Sequence, residues 1–228
     1  ASDVYKRQDQ TIPTVIQETT TRPVVTEVLS DIIDTCKFIP LETASDKSLV
    51  GHISKILKYK DKFYIATDNK RILVFNTDGS FSHRIDRLGR GPQEYADLAD
   101  FDIADDRIIV LSHHKIVVYT LDGAHVSSTP FDFNGLNIKV VGDNYLLRSN
   151  KESFLRTIDI RSGKTGSLQV DMQQNMRLGR KNCFLPFDRG VLIQQGHSNI
   201  FSYYSADAPT EISEICLLYT SDAADDRI

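Results

Sequence analysis

The chain has 228 residues, of which 40% are hydrophobic, and its formal net charge is −4. This mildly acidic balance gives no basic surface of the kind that binds nucleic acid, and no apolar run approaches the roughly 20 residues of a membrane-spanning helix. The composition therefore favours a globular segment with no nucleic-acid partner and no transmembrane segment.

The two ends of the chain can be encoded by the same DNA read on opposite strands. Residues 1–8 read ASDVYKRQ, and the reverse complement of a DNA sequence that encodes them, read from its second base, translates as CLLYTSDA, the letters of residues 216–223. Both stretches resemble the translated transposon-end adapter of sequencing libraries, the alternative being chance similarity. We therefore expect residues 1–8 and 216–228 to be adapter-derived, and residues 9–215 to be a native segment of a longer protein.

The residues before the repeats carry few structural signals. Residues 9–33 are a lead-in in which only Glu27 to Asp34 could form a short helix or strand, and Phe38 to Leu41 reads as a strand. Cys36 and Cys183 are too far apart in sequence to indicate a disulfide framework or a metal cluster. We expect both to be small buried apolar residues.

An internal repeat dominates the rest of the chain. KRILVFNTDGSF, residues 70–81, aligns with HKIVVYTLDGAH, residues 114–125, so that Asp78-Gly79 falls on Asp122-Gly123 at an offset of 44. The apolar runs are rich in Ile, Val, Leu, Phe and Tyr, which is typical of strands. Asp-Gly favours a tight hairpin turn because such a turn needs positive φ. Weaker copies follow after residue 142 and after residue 188.

Four-stranded units that recur about every 40–45 residues are typical of β-propeller blades. We predict an all-β fold, a partial propeller over residues 34–215. Its four visible blades lie at about residues 53–86, 98–131, 137–171 and 182–215. A β-sandwich is the alternative all-β fold, but it does not predict the constant spacing of the Asp-Gly turns.

Three motifs together resemble one known family. They are FIPLETASDKSLVGHISKI from residue 38, ILVFNTDGSF from residue 72, and RLGRGPQEYADL from residue 87. In this order they resemble the secreted six-bladed β-propellers of Bacteroidetes-type bacteria, which are similar to NHL-repeat propellers. The resemblance implies six blades, of which four are visible here. It also implies export to the periplasm or outer-membrane surface, often as a lipoprotein, and supplies no catalytic residues.

Binding in a propeller is expected on the face that carries the connections between blades. Arg87-Leu-Gly-Arg90 in one such connection recurs as Arg177-Leu-Gly-Arg180 about two blades later. A guanidinium group pairs well with carboxylate or phosphate, which predicts an anion or acidic-glycan site. The alternative is structural, with the arginines bracing the loop and its tyrosine packing between blades. The candidate ligand-binding residues are Arg87, Arg90, Arg177, Arg180, Glu94 and Tyr95.

Metal binding is a weaker interpretation. Asp100 and Asp102 share one side of a predicted inner strand and could bind a cation such as calcium, or could hydrogen-bond neighbouring strand ends instead. His113, His114 and His197 fall in second-to-third-strand loops, where we expect solvated side chains rather than a metal cluster. No cofactor is predicted.

Two functions follow from these observations. The first is a non-catalytic exported propeller that binds a glycan, a peptide or an envelope partner, or that serves as a scaffold. The second is a divergent metal-assisted hydrolase or lyase of the lactonase type. No catalytic residue is predicted, because the sequence contains no nucleophile elbow, phosphate loop or zinc-ligand spacing. Fold alone does not choose between the two functions.

Overall fold

The computed structural model describes residues 14–15, 37–149, 154–170, 184–194 and 200–216. These residues form 17 strands, and no helix occurs among them. Four antiparallel sheets of four strands each are arranged as the blades of a β-propeller. The predicted fold is therefore confirmed.

Each blade is a meander in which successive strands pair from the inner to the outer edge. Blade 1 contains β2 (Ile53–Tyr59), β3 (Lys62–Thr67), β4 (Ile72–Asn76) and β5 (Phe81–Ile85). Blade 2 contains β6 (Asp100–Ala104), β7 (Arg107–Ser112), β8 (Lys115–Thr120) and β9 (His125–Pro130). Blade 3 contains β10 (Gly135–Val141), β11 (Asn144–Ser149), β12 (Phe154–Asp159) and β13 (Thr165–Gln169). Blade 4 contains β14 (Phe184–Phe187), β15 (Gly190–Gln194), β16 (Ile200–Ser205) and β17 (Ser213–Cys216).

One short strand lies outside this scheme. β1 (Thr14–Val15) runs parallel to β17 and adds a fifth strand at the outer edge of blade 4. Glu27 to Asp34, Cys36 and Cys183 lie outside the described residues.

The Asp-Gly turns form the hairpins between third and fourth strands. Gly79 and Gly123 have φ of +92° and +84°, a region that other residues adopt only under strain. Gly79 also allows a close approach, because a Cβ added there would lie 2.0 Å from the carbonyl oxygen of Pro40. The repeated turn therefore has a local conformational cause at both positions and a packing cause at Gly79.

Apolar side chains from neighbouring blades form the core. Three clusters fill the junctions between blades 1 and 2, blades 2 and 3, and blades 3 and 4. Phe101, Tyr95 and Tyr119 are fully buried in the first of them. Both faces of blades 2 and 3 are thus covered, which explains their nearly continuous apolar runs.

The face of blade 1 that points away from blade 2 is covered by a loop segment and not by another blade among the described residues. The segment of residues 37–50 packs there, with Leu41 and Val50 against the cluster formed by Ile65, Leu73 and Phe75. The predicted strand at Phe38 to Leu41 is wrong, because these residues are not part of any strand. Pro40 has no N–H group to donate to a ladder. The segment is instead held by Glu42, which donates its backbone N–H to the Gly79 carbonyl at 2.9 Å.

Candidate functional site: the loop face between blades 1 and 2

We call the side of the propeller that carries the connections between blades and the loops between second and third strands the loop face. The connection at residues 86–99 crosses this face from β5 to β6. It folds back on itself, since Gly89 donates to the Tyr95 carbonyl at 2.9 Å and Tyr95 donates to the Arg87 carbonyl at 3.0 Å. The motif is therefore an ordered loop with its own backbone hydrogen bonds.

Glu94 holds the tip of this loop. Its carboxylate accepts a hydrogen bond from the Gly91 backbone N–H at 2.9 Å. A Cβ added at Gly89 would lie 1.9 Å from Glu94 Oε2, so a larger residue there would displace the carboxylate from this position. One oxygen of this candidate ligand-binding residue is thus used inside the loop.

Three side chains of blade 2 hold the same loop. Tyr119 donates its hydroxyl to the Gln93 carbonyl at 2.8 Å, and Ser128 donates to the Pro92 carbonyl at 2.7 Å. Lys115 donates to the carbonyls of Gly91, at 3.1 Å, and Glu94. The loop consequently fastens the exit of blade 1 to the outer strands of blade 2.

Tyr95 lies in the core between the two blades. Its side chain is fully buried, and its hydroxyl lies 3.0 Å from the Lys70 carbonyl oxygen and 3.3 Å from that of Ile85. Burial raises the pKa of Tyr95 to about 12. The placement gives this residue a packing role, while contact with a ligand stays a prediction.

The arginines of the motif are on the surface. Arg87 and Arg90 are both exposed; Arg87 donates to the Gly123 carbonyl of blade 2 at 3.3 Å. Within the described part of the chain, Arg90 contacts no carboxylate. Arg177 and Arg180, the second copy, lie outside the described residues. The four-arginine site therefore stays a prediction.

Two further arginines lie next to the connection, and the sequence analysis missed them. Arg71 Nε is 2.9 Å and Arg84 Nη2 is 3.5 Å from the same oxygen of Asp86. Ile72 pairs with Ile85 in the β4–β5 ladder, which brings Arg71 opposite Asp86. That register was the available signal, because antiparallel pairing from the Asp78-Gly79 turn fixes which residues face each other.

A cavity of about 200 Å³ opens between blades 1 and 2 on this face. We call it the junction cavity. Its walls come from β2, the end of β3 with its following turn, and the start of β6. Its lining residues are Ser54, Lys55, Ala66, Thr67, Asp68, Lys70, Leu98, Ala99, Asp100 and Phe101.

Lys55 lies at the wall of the junction cavity. Its Nζ is 2.8 Å from Asp100 Oδ1 and 2.7 Å from the Phe101 carbonyl oxygen, which uses two of its three N–H donors. Burial raises the pKa of Asp100, an effect that Lys55 and the backbone N–H groups of Ile138 and Phe101 partly offset. The pair is a desolvated contact between the inner strands of blades 1 and 2.

Asp100 and Asp102 also connect blade 2 to blade 3. Asp100 accepts the Ile138 N–H at 3.0 Å and Asp102 accepts the Val140 N–H at 2.8 Å, a spacing of two on both strands. Lys139 Nζ lies 2.9 Å from Asp102. The hydrogen-bonding alternative of the sequence analysis is thus present in the structure.

Each of the four oxygens of Asp100 and Asp102 accepts at least one hydrogen bond. Among the described residues, no group of three His, Cys, Asp or Glu side chains is arranged to hold a metal ion. Cation binding at Asp100 and Asp102 stays a prediction that this arrangement does not favour.

Of the three loop histidines, His113 has defined side-chain contacts. His113 has one ring nitrogen 2.8 Å from Asp97 Oδ2 and the other 3.2 Å from the Gly135 carbonyl oxygen. His114 is exposed, and His197 lies outside the described residues. His113 therefore connects blade 2 to a preceding connection and to the start of blade 3.

No helix in the described ranges has the length and apolar character needed to cross a bilayer.

Comparison with solved structures supports the fold. BF0058, a candidate exported protein of Bacteroides fragilis, matches with a TM-score of 0.67 at 18% identity, over 81% of this chain and 55% of its own. The WD40 domain of Neurospora crassa Pan2 matches with a TM-score of 0.52 at 14% identity, over 72% of this chain and 49% of its own. The chain thus spans about half the length of these two structures.

No curated protein matches the sequence. The family described as "Domain of unknown function (DUF4934)" matches residues 14–183, which is most of the chain. The chain therefore belongs to the DUF4934 family and adopts a β-propeller fold.

Proposed function

We propose that this protein is a non-catalytic, exported propeller that binds an acidic glycan on its loop face, next to the connection between blades 1 and 2. The site consists of Arg71, Arg84, Arg87 and Arg90. A planar guanidinium group forms paired hydrogen bonds to carboxylate or sulfate oxygens, and several such groups on one surface favour a multiply charged ligand.

One observation carries the proposal. Four arginines lie close together in the sequence and the β4–β5 ladder, and Asp86 is the one carboxylate that any of them contacts among the described residues. The surface therefore has more arginines than carboxylates in direct contact with them, on a chain whose net charge is −4. Glu94 and Asp97, the nearby acids, are engaged by the loop backbone and by His113.

Export and ring size belong to the same proposal. BF0058 is a candidate exported protein, which supports a location in the periplasm or on the outer-membrane surface. Among the described residues no blade packs on the far face of blade 4, which supports a longer ring, the six blades of the family resemblance. Leu185 and Phe187 on that face are 47% and 42% exposed, more than an apolar blade face has when a neighbour covers it.

Binding to an array of acidic and neutral glycans tests the function. The Arg87→Gln/Arg90→Gln variant is expected to lose at least tenfold in affinity for the acidic glycans that the parent chain binds. Arg161→Gln/Arg189→Gln is the matched control, since both arginines lie in exposed turns on the opposite face and the charge change is equal. The control is expected to bind like the parent chain.

Two outcomes oppose the proposal. Equal losses in both double variants would indicate unspecific attraction to net charge. Unchanged glycan binding in the Arg87→Gln/Arg90→Gln variant, together with a lower melting temperature, would show that these arginines only brace the loop.

A further inference from the structure

The junction cavity presents an unusual set of polar groups. Ser54 donates its hydroxyl hydrogen to the Ala66 carbonyl at 3.1 Å, and Thr67 donates its own to the Arg71 carbonyl at 3.3 Å. Both hydroxyl oxygens therefore remain available as acceptors only. The carboxylate of Asp68 at the rim is a third acceptor.

Two cations complement these acceptors. Lys55 retains one N–H donor after its bonds to Asp100 and Phe101, and its side chain is only 14% exposed. Lys70 is exposed at the rim of the same cavity and, within the described ranges, forms no ion pair. The cavity thus combines cationic donors with three acceptors in a partly desolvated space, where such contacts are stronger than in water.

The rim is fixed before any ligand arrives. In the turn at residues 67–70, Asp68 donates its N–H to the His52 carbonyl at 3.1 Å and Lys70 donates to the Thr67 carbonyl at 3.0 Å. Lys70 has a φ of +59°, and its carbonyl accepts the Tyr95 hydroxyl at 3.0 Å. A rim held this way loses little conformational freedom on binding.

From this chemistry we infer that the junction cavity binds one sugar-acid residue, a hexuronate, through its carboxylate and its ring hydroxyls. The carboxylate pairs with Lys55 and Lys70. The hydroxyl hydrogens are accepted by Asp68, Ser54 and Thr67, whereas an anion such as sulfate has no hydrogens for these acceptors. At about 200 Å³ the cavity is smaller than the roughly 300–1,000 Å³ of drug-sized pockets, so it takes a single ring.

This inference rests on the proposed function in one respect. It names the sugar residue of the acidic glycan that occupies the junction cavity, while the arginines contact the rest of the glycan. Leu98 and Ala99 provide the apolar part of the wall, against which the C–H face of a sugar ring can pack.

A titration followed by amide NMR tests the inference, with sodium glucuronate as the probe and glucose as its neutral counterpart. Glucuronate is expected to shift the amide signals of Thr67, Asp68 and Ala99, and to bind at least tenfold more tightly than glucose. Asp68→Asn and Lys70→Gln are each expected to weaken glucuronate binding three- to tenfold. Asp61→Asn, an exposed change in the β2–β3 turn, is the matched control and is expected to bind like the parent chain.

Lys55→Met is expected to abolish the glucuronate shifts, with its spectrum reporting whether it folds. If it does not fold, Asp68→Asn and Lys70→Gln decide. The inference is overturned if both bind glucuronate like the parent chain, if glucose binds equally well, or if the shifts occur elsewhere. Loss of array binding in the Arg87→Gln/Arg90→Gln variant with unchanged array binding in Asp68→Asn would retain the proposed function and reject the cavity as its subsite. The reverse pattern, glucuronate shifts without array binding, would reject the proposed function alone.

Discussion

Tyr119, in the third strand of blade 2, donates its hydroxyl to the carbonyl oxygen of Gln93 at 2.8 Å. The bond connects a fully buried aromatic side chain to the loop that leaves blade 1. Tyr119→Phe removes the donor and leaves the carbonyl without this partner. We expect a loss of about 1 kcal/mol in the free energy of unfolding, measured by urea denaturation.

Tyr204 is the matched control for this change. It is also fully buried, but its hydroxyl has no hydrogen-bond partner among the described residues. Tyr204→Phe is therefore expected to leave the free energy of unfolding unchanged or to raise it. Equal losses in the two variants would show that the Gln93 contact does not contribute to stability.

Alanine substitutions at Gly79 and Gly163 distinguish the cost of a steric clash from the cost of backbone strain. Both have positive φ, +92° and +69°, but a Cβ at Gly79 would meet the Pro40 carbonyl oxygen at 2.0 Å, whereas at Gly163 nothing lies within 4 Å. Gly163→Ala is expected to cost about 1 kcal/mol from backbone strain alone. Gly79→Ala is expected to cost about 3 kcal/mol, because the segment that covers blade 1 must also move.

Thermal and urea unfolding of the two glycine variants measure this difference. If the two alanine variants lose the same stability, the segment of residues 37–50 does not pack against blade 1 as described.

Alkaline pH is expected to weaken the fold through its buried tyrosines. Burial raises the pKa of Tyr95 from 10.0 to about 12, so the folded state holds this proton more tightly than the unfolded state. The contribution is fully present below pH 10 and is lost as the pH rises towards 12. We expect about 2 kcal/mol from Tyr95 over this range, with further losses because burial also raises the pKa of Tyr119.

Urea denaturation followed by circular dichroism between pH 8 and 12 measures this effect. Tyr95→Phe is expected to flatten the decline, although it lowers stability at neutral pH by removing the hydroxyl contacts. A decline of the same steepness in Tyr95→Phe would assign the alkaline sensitivity to other groups.

The Lys55–Asp100 pair is expected to be strongly coupled. Both side chains are shielded from solvent, at 14% and 5% exposure, and removal of one leaves the other charge buried without its partner. A double-mutant cycle with Lys55→Met and Asp100→Asn is expected to give a coupling free energy of about 2 kcal/mol.

Lys60 and Asp106 provide the exposed comparison, since their side chains are 58% and 50% exposed. The same cycle at that pair is expected to give a much smaller coupling free energy than at Lys55–Asp100, because water screens the two charges. Similar coupling free energies at both pairs would mean that burial between blades 1 and 2 does not strengthen the Lys55–Asp100 interaction.

The features that depend on local chemistry could be predicted from the sequence. The propeller follows from the regular recurrence of strand-forming runs, and the turn at Asp78-Gly79 follows from its need for positive φ. Each strand and each turn is encoded by the residues that form it, so the repeat can be recognised without knowledge of the contacts between blades.

The features that depend on distant residues could not be predicted. Asp100 and Asp102 were correctly placed on one side of an inner strand. Their lysine partners come from other blades, 45 and 37 residues away in sequence, at positions that no local pattern marks. The junction cavity is hidden for the same reason, since its walls come from strands that meet only when two blades pack.

The carboxylate of Asp100 has a mechanical consequence. It contacts Lys55 in blade 1, Phe101 in its own blade and Ile138 in blade 3, and so joins the inner strands of three consecutive blades. A rotation of blade 1 against blade 2 would displace the Asp100 carboxylate, which also accepts a hydrogen bond from blade 3. A ligand that alters the contacts of Lys55 would therefore act on a hydrogen-bond network that reaches blade 3.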